Sequence, residues 1–387
     1  MKSEELRKQL VDTILPFWLS HIDPKNGRFI EEVNYNLVDQ PDKDKSSVMQ
    51  SRYLWSFSAS YTCLKQDCLL TSAHHGFNFI KEYLWDPVFG GMYWSVTNQG
   101  KPSNSIKHLY AQSFAIYGLS EYYKTCKQDD VRELAIAIFQ LIETHAFKKE
   151  LAGYHEEFTQ EWEPVTNNQI TAKIEALYFT TNSHLHLLEA YTNLYMIWPN
   201  SFLKDKIFFL QSLFIEKIFH PDGYCQQYFD KTWQPLTPGL SFGHDIESAW
   251  LLDRSLEVVG IKNPILSNIT KQIVEYQFIH GLNPELIMEN ETDFITINRT
   301  KVWWVQAEAM IGFFNAFQKT NNQQYLSVVE ATWAYIQCYF IDPRENSEWF
   351  AALENRRPIP MNLSDSWKGP YHTVRMYLEL IKRMEDN

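Results

Sequence analysis

The chain has 387 residues, 45% hydrophobic and 21% charged, an ordinary folded composition that excludes a disordered protein. Its formal net charge is −12 and no basic stripe is present, which excludes nucleic acid as a partner. No apolar run reaches the ~18–20 residues of a membrane span, and the charged start MKSEELRKQL does not read as a signal peptide.

In chain order, short turns rich in Asp, Gly and aromatic residues alternate with helical stretches. The turns are Asp23-Pro-Lys-Asn-Gly-Arg-Phe, Asp86-Pro-Val-Phe-Gly-Gly-Met-Tyr-Trp, Leu151-Ala-Gly-Tyr-His, Pro221-Asp-Gly-Tyr-Cys and Asp342-Pro-Arg-Glu-Asn-Ser-Glu-Trp, with a degenerate member near Gly281. The first two start 63 residues apart. Pro after Asp sets a turn and Gly supplies positive φ, so each predicts a tight loop or short hairpin. Between them, residues 107–123, 131–145, 182–198, 246–259 and 303–317 repeat apolar positions at three- and four-residue spacing, which predicts helices. Strand-like alternation appears only beside the turns, as in Met92-Tyr-Trp-Ser-Val. Two helices per repeat and about six repeats predict an all-α closed ring, an (α/α)6 barrel with short β-hairpin turns at one rim. No linker or charge block divides the chain, so residues 1–387 read as one domain. Aromatic residues reach 15%, most of them expected in the core, and the 13 tryptophans also suit the C–H faces of a sugar. Five scattered cysteines with no CxxC argue against a disulfide framework, and a reducing cytoplasm is expected.

Polar residues inside apolar helical patterns need partners or a function. In Ser241-Phe-Gly-His-Asp-Ile-Glu, His244 and Glu247 stand three apart on one helix face, the spacing of a general base beside an orienting carboxylate. A helix-start His with a Glu that merely favours the helix dipole fits the same spacing. In Ser366-Trp-Lys-Gly-Pro-Tyr-His, the Gly369-Pro370 break delivers His372 from a loop or first helical turn, for a structural or a catalytic role alike. Asn182 and His186 share a helix face, whereas His184, two residues from His186, points elsewhere and reads as a packing residue. Arg52, three before Trp55, wants either a carboxylate from a neighbouring helix or an anionic oxygen. Of the adjacent Trp303 and Trp304, one can face a cavity while the other packs behind it, with Glu308 a turn further on. GxGxxG, GxxxxGK[ST], GxSxG and HExxH are all absent, leaving nucleotide-dependent and serine-hydrolase readings without support.

Together, GHDIE from Gly243, NSHLHLLEAY from Asn182, QSRYLWSFS from Gln50, WWVQAEA from Trp303 and WKGPYH from Trp367 resemble the N-acylglucosamine 2-epimerase superfamily, in particular its cellobiose 2-epimerase branch. The motifs fall in the family's order across nearly the whole chain. The resemblance implies the (α/α)6 barrel and isomerase activity at C2 of a sugar. It assigns acid/base roles to His244 and His372, tuning of His244 to Glu247, and stabilisation of an enediolate oxygen to Arg52. Tyr110, Asn182 and His186 would hold sugar hydroxyls, Trp304 and Trp367 would stack on the sugar, and Glu308 would hydrogen-bond to it. No metal or cofactor is implied, the partner is a small-molecule sugar, and a monomer or weak homodimer is expected. The segment after His372 reads Thr-Val-Arg where Asn follows in the family, and Gly369 replaces a Cys; both leave monosaccharide and disaccharide substrates open. An aldose–ketose isomerase using the same histidines stays as the alternative, with a glycoside hydrolase or a non-catalytic sugar-binding protein behind it.

Overall fold

The computed structural model of the protein describes residues 1–23, 28–166 and 174–385, so Pro24–Gly27 of the first predicted turn lie outside it. The N-terminal α1 (Ser3–Gln9) runs through a π-helical turn into α2 (Leu15–Ser20). Thereafter long helices come in pairs: α3 (Ser47–Leu64) with α4 (Asp67–Phe79), α5 (Leu109–Cys126) with α6 (Asp129–Leu141), and α7 (Thr181–Ile197) with α8 (Ser201–Leu213). The series continues with α9 (Phe242–Val259) and α10 (Pro264–His280), then α11 (Trp303–Thr320) and α12 (Gln323–Tyr335), and ends in α13 (Pro370–Glu385). The helices α3, α5, α7, α9, α11 and α13 each pack on the next, and α13 returns to α3, which closes an inner ring. Each inner helix carries an outer one, and α13 is backed by α1. The sixth pair is therefore made by the two ends of the chain, which sequence periodicity does not show.

Burial follows from this geometry. Inner helices are covered on all sides, so every residue from Ser47 to Ser58 of α3 is buried. Outer helices bury one stripe, as α6 does with Val131, Ala135, Ile138 and Phe139, at the spacing of one helix face. The rim at the N-terminal ends of the inner helices is built from two- and three-residue strands, such as Lys107–His108 paired with Glu157–Phe158 and Phe179–Thr180 paired with Tyr228–Phe229. The predicted turns lie within this rim: Trp85 bridges Met92, and the degenerate member near Gly281 closes through Leu282 and Met288. Caps fix where the inner helices begin, with the Ser46, Thr180 and Ser241 hydroxyls accepting from the amides of Met49, Ser183 and His244.

Candidate active site

Because the inner helices start from equivalent rim strands, equal positions along them face the same way. The fourth residue of each points outward to the preceding rim turn. Gln112 bonds both backbone groups of Met92, Gln306 donates to the Met288 carbonyl, and Asp245 accepts from the Cys225 amide. His184 holds this position in α7: its Nε2 accepts from the Tyr154 amide at 3.2 Å and its Nδ1 donates to the Thr180 carbonyl at 2.8 Å. It is the packing residue expected, and burial lowers its pKa to about 4.

The sixth residue points into the ring. From α3 to α13 these are Arg52, Phe114, His186, Glu247, Glu308 and Arg375, all but Phe114 polar or ionisable and all buried. Above this layer, toward the rim, stand Tyr110, Asn182, His244, Trp304 and His372, from the second or third position of their helices. The structure thus brings nine of the ten predicted residues onto the N-terminal turns of the inner helices. Trp367 precedes α13, 42% exposed at the mouth, with its ring 6.2 Å from Tyr110 and 6.4 Å from Trp94.

His372 donates from Nδ1 to Glu308 Oε1 at 2.7 Å. Burial lowers the His372 pKa to about 4 despite the opposing pull of Glu308. Burial also pushes Glu308 up, but Arg375 and His372 outweigh it and hold the carboxyl down to about 2. His244 stands half-buried in the first turn of α9, its ring 4.8 Å from Trp304, which lies 5.5 Å from His372 on its other flank. Burial first, then the nearby His186 and His372, lowers the His244 pKa to about 3. Trp304 reaches this place because α9 carries no side chain at Gly243, where a Cβ would come within 2.5 Å of the indole. Trp303 packs behind, buried.

One expectation needs correction. Glu247 does not meet His244; its Oε1 accepts from Arg375 Nη2 at 2.5 Å. The first-turn histidine points toward the mouth, while Glu247, a turn deeper, faces the guanidinium with one oxygen and leaves the other unpartnered. Glu308 is fully buried behind His372: its Oε1 takes His372 and Arg375 at 2.7 and 2.6 Å, and its Oε2 takes the Trp250 indole N–H at 3.0 Å.

Arg52 settles the two readings of its sequence context. Among the described residues no carboxylate lies within 4.0 Å of it. Its guanidinium donates to Tyr110 Oη at 2.9 Å and the Trp367 carbonyl at 2.8 Å, and rests 4.4 Å over the Phe114 ring. Its charge is thus buried without an anion of its own, which is costly in a protein interior. Asn182, half-buried, has a buried Oδ1 with no hydrogen-bond partner.

Sequence reasoning missed Glu189, Tyr371 and Arg375. Glu189 accepts from His186 Nδ1 at 2.8 Å, at the spacing that failed for His244 and Glu247. Glu247, Glu308 and His372 bring ligand-type atoms within 4.8 Å of one another. Arg375 bonds both carboxylates there, so a guanidinium already supplies that cluster's positive charge.

The cavity over His244 and Trp304 holds about 580 Å³ and extends outward past Gln227, Tyr228, Glu291, Asp293 and Asn298. A second cavity of about 440 Å³ opens at the other end of the inner ring and reaches Glu189 and Trp250 but neither His244 nor His372. Among the described residues no helix is long and apolar enough to cross a membrane.

The profile of the family described as N-acylglucosamine 2-epimerase (GlcNAc 2-epimerase) matches residues 29–375. The cellobiose 2-epimerase of Dictyoglomus turgidum is 37% identical over 98% of both chains. The solved structure of cellobiose 2-epimerase from Bacillus thermoamylovorans superposes with a TM-score of 0.95 at 38% identity, covering 98% of this chain and 99% of the other. A D-mannose isomerase structure shares the fold alone, with a TM-score of 0.87 at 18% identity over 99% and 98% of the two chains. With its closed ring of helix pairs and its histidine-lined mouth, this chain belongs to the N-acylglucosamine 2-epimerase family and is an epimerase, of the isomerase class.

Proposed function

We propose that the protein inverts C2 of a reducing-end aldose of the glucose or mannose type, free or as the reducing unit of a β-1,4-disaccharide such as cellobiose. The observation that carries this reading is Arg52, a buried guanidinium with no carboxylate partner, 5.2 Å over the Tyr371 ring next to His372, whose pKa its charge helps to lower. Together with His244, that set answers a reaction passing through a negatively charged oxygen between two proton-transfer groups.

The proton on C2 of the open-chain sugar is acidified by the C1 carbonyl. His372 Nδ1 gives its hydrogen to Glu308, so Nε2 keeps the lone pair of a base. Removal of the proton yields a cis-enediolate whose charge Arg52 stabilises, a contribution typically worth ~10²–10³ in rate for one pre-organised donor. That charge also favours protonation of His244, which draws a proton from solvent and delivers it to the other face of C2 after rotation about C2–C3, while His372 releases the proton it took to solvent. Tyr110, Asn182 and His186 hold hydroxyls, and Trp304 and Trp367 carry the sugar's apolar faces. Glu308 holds His372 in place. A cytoplasmic place fits five cysteines that are all free thiols.

The polar outer wall of the 580 Å³ cavity favours a substrate with a second ring. The test is proton NMR of the protein with cellobiose, glucose and mannose separately. Formation of the C2 epimer is expected, fastest with the disaccharide. A ketose product would make the protein an aldose–ketose isomerase, and no conversion of any sugar would overturn the reading.

A further inference from the structure

Arg375 is fully buried at the level of the sixth-residue layer, with no exposure to either cavity. Its Nη1 bonds Glu189 Oε1 and the Tyr371 hydroxyl. Its Nη2 bonds Glu247 Oε1 at 2.5 Å and Glu308 Oε1 at 2.6 Å. The Tyr371 and Trp250 rings lie 4.2 and 4.8 Å from the guanidinium carbon and fix its plane. Two of the carboxylates it holds are the Nδ1 acceptors of different histidines, Glu189 of His186 and Glu308 of His372, on α7 and α13.

We propose that Arg375 is a positioning residue that locks His186 and His372 together, setting through Glu189 and Glu308 which nitrogen of each imidazole faces the sugar. The proposal rests on the epimerase reading for its kinetic consequence, but its structural content does not. A carboxylate held ionised can only accept, so each bonded Nδ1 must carry the hydrogen and each Nε2 must present a lone pair. A planar fork can bond carboxylates from three helices at once, whereas an ammonium is a compact point charge that cannot span them. A buried arginine that served stability alone would need one acid; this one divides its donors among three.

The test is Arg375→Lys, which keeps the charge and loses the fork, read by the nitrogen-15 spectrum of the imidazoles and by steady-state kinetics. The expected result is a mixture of Nδ1–H and Nε2–H tautomers at His372. With it, kcat should fall by ~10²-fold, the order of an acid–base contribution, while KM hardly changes. Wild-type tautomers with wild-type kcat would overturn the proposal. If Arg375→Lys does not fold, Glu189→Gln decides: the His372 nitrogen shifts should move although Glu189 never touches His372, and unmoved shifts refute the coupling. The spectra need no turnover, so failure of the epimerase reading and failure of the coupling are told apart.

Discussion

The two histidines beside Trp304 share a layer but not a setting. His372, on α13, is backed by Glu308, whose charge Arg375 holds in place. His244, on α9, has no carboxylate within 4.0 Å among the described residues and sits at a helix N-terminus, where the dipole disfavours an imidazolium. One wall therefore fixes the tautomer of its histidine, and the other leaves its histidine without a carboxylate. The lesson concerns spacing. His186 with Glu189 and His244 with Glu247 have the same three-residue offset, yet only the first pair forms. Facing the same helix side permits a bond; whether it forms depends on which way the imidazole turns, since Glu189 bonds Arg375 and still takes His186, while Glu247 keeps an unpartnered Oε2.

The difference between the walls can be broken by substitution. Glu308→Gln keeps the shape but removes the charge that orients His372, and kcat is expected to fall by ~10²–10⁴, the range for losing proper acid–base action. Steady-state rates beside an unchanged melting temperature check it, and a loss below tenfold would remove Glu308 from the account. The acid limb of kcat/KM sharpens the same point. A free histidine titrates near ~6.5. Burial lowers His372 to about 4, so the neutral base persists as pH falls through the ordinary range and is lost only as pH approaches that lower value. A limb at the free-histidine position would contradict the buried base. The smallest effect is expected on the other wall. Burial and the charge of Glu308 push the Glu247 pKa well up, and its Oε1 bonds Arg375 rather than a histidine. Glu247→Gln should cost less than the Glu308 change; an equal loss would restore Glu247 as the partner of His244.

The barrel was legible because each turn carries its own chemistry. Asp86 caps Val88 and Phe89 and pairs with the buried Lys107, while Gly90 and Gly91 take positive φ, all within one segment. His184 was read as a packing residue because its two-residue offset from His186 turns it away, whereas for Trp303 and Trp304 the offset said only that the two point apart. Arg375 and Glu189 were missed for the opposite reason. Their meaning lies in partners on α7, α9, α11 and α13, and no spacing along one helix reveals a bond to another. A signal was nevertheless present: once the inner helices are set to a common start, their sixth residues read Arg, Phe, His, Glu, Glu, Arg, a polar layer that a core would not tolerate without function.

The central claim is that His244 and His372 serve the two faces of C2, and half-reactions in D2O test it most directly. His244→Ala and His372→Ala would each be incubated with the glucose-type and the mannose-type epimer, and deuterium at C2 followed by NMR. Each variant should exchange the C2 proton of one epimer, a different one in each case, with no epimer formed. Exchange of both epimers by either variant, or epimerisation surviving in both, would contradict the account.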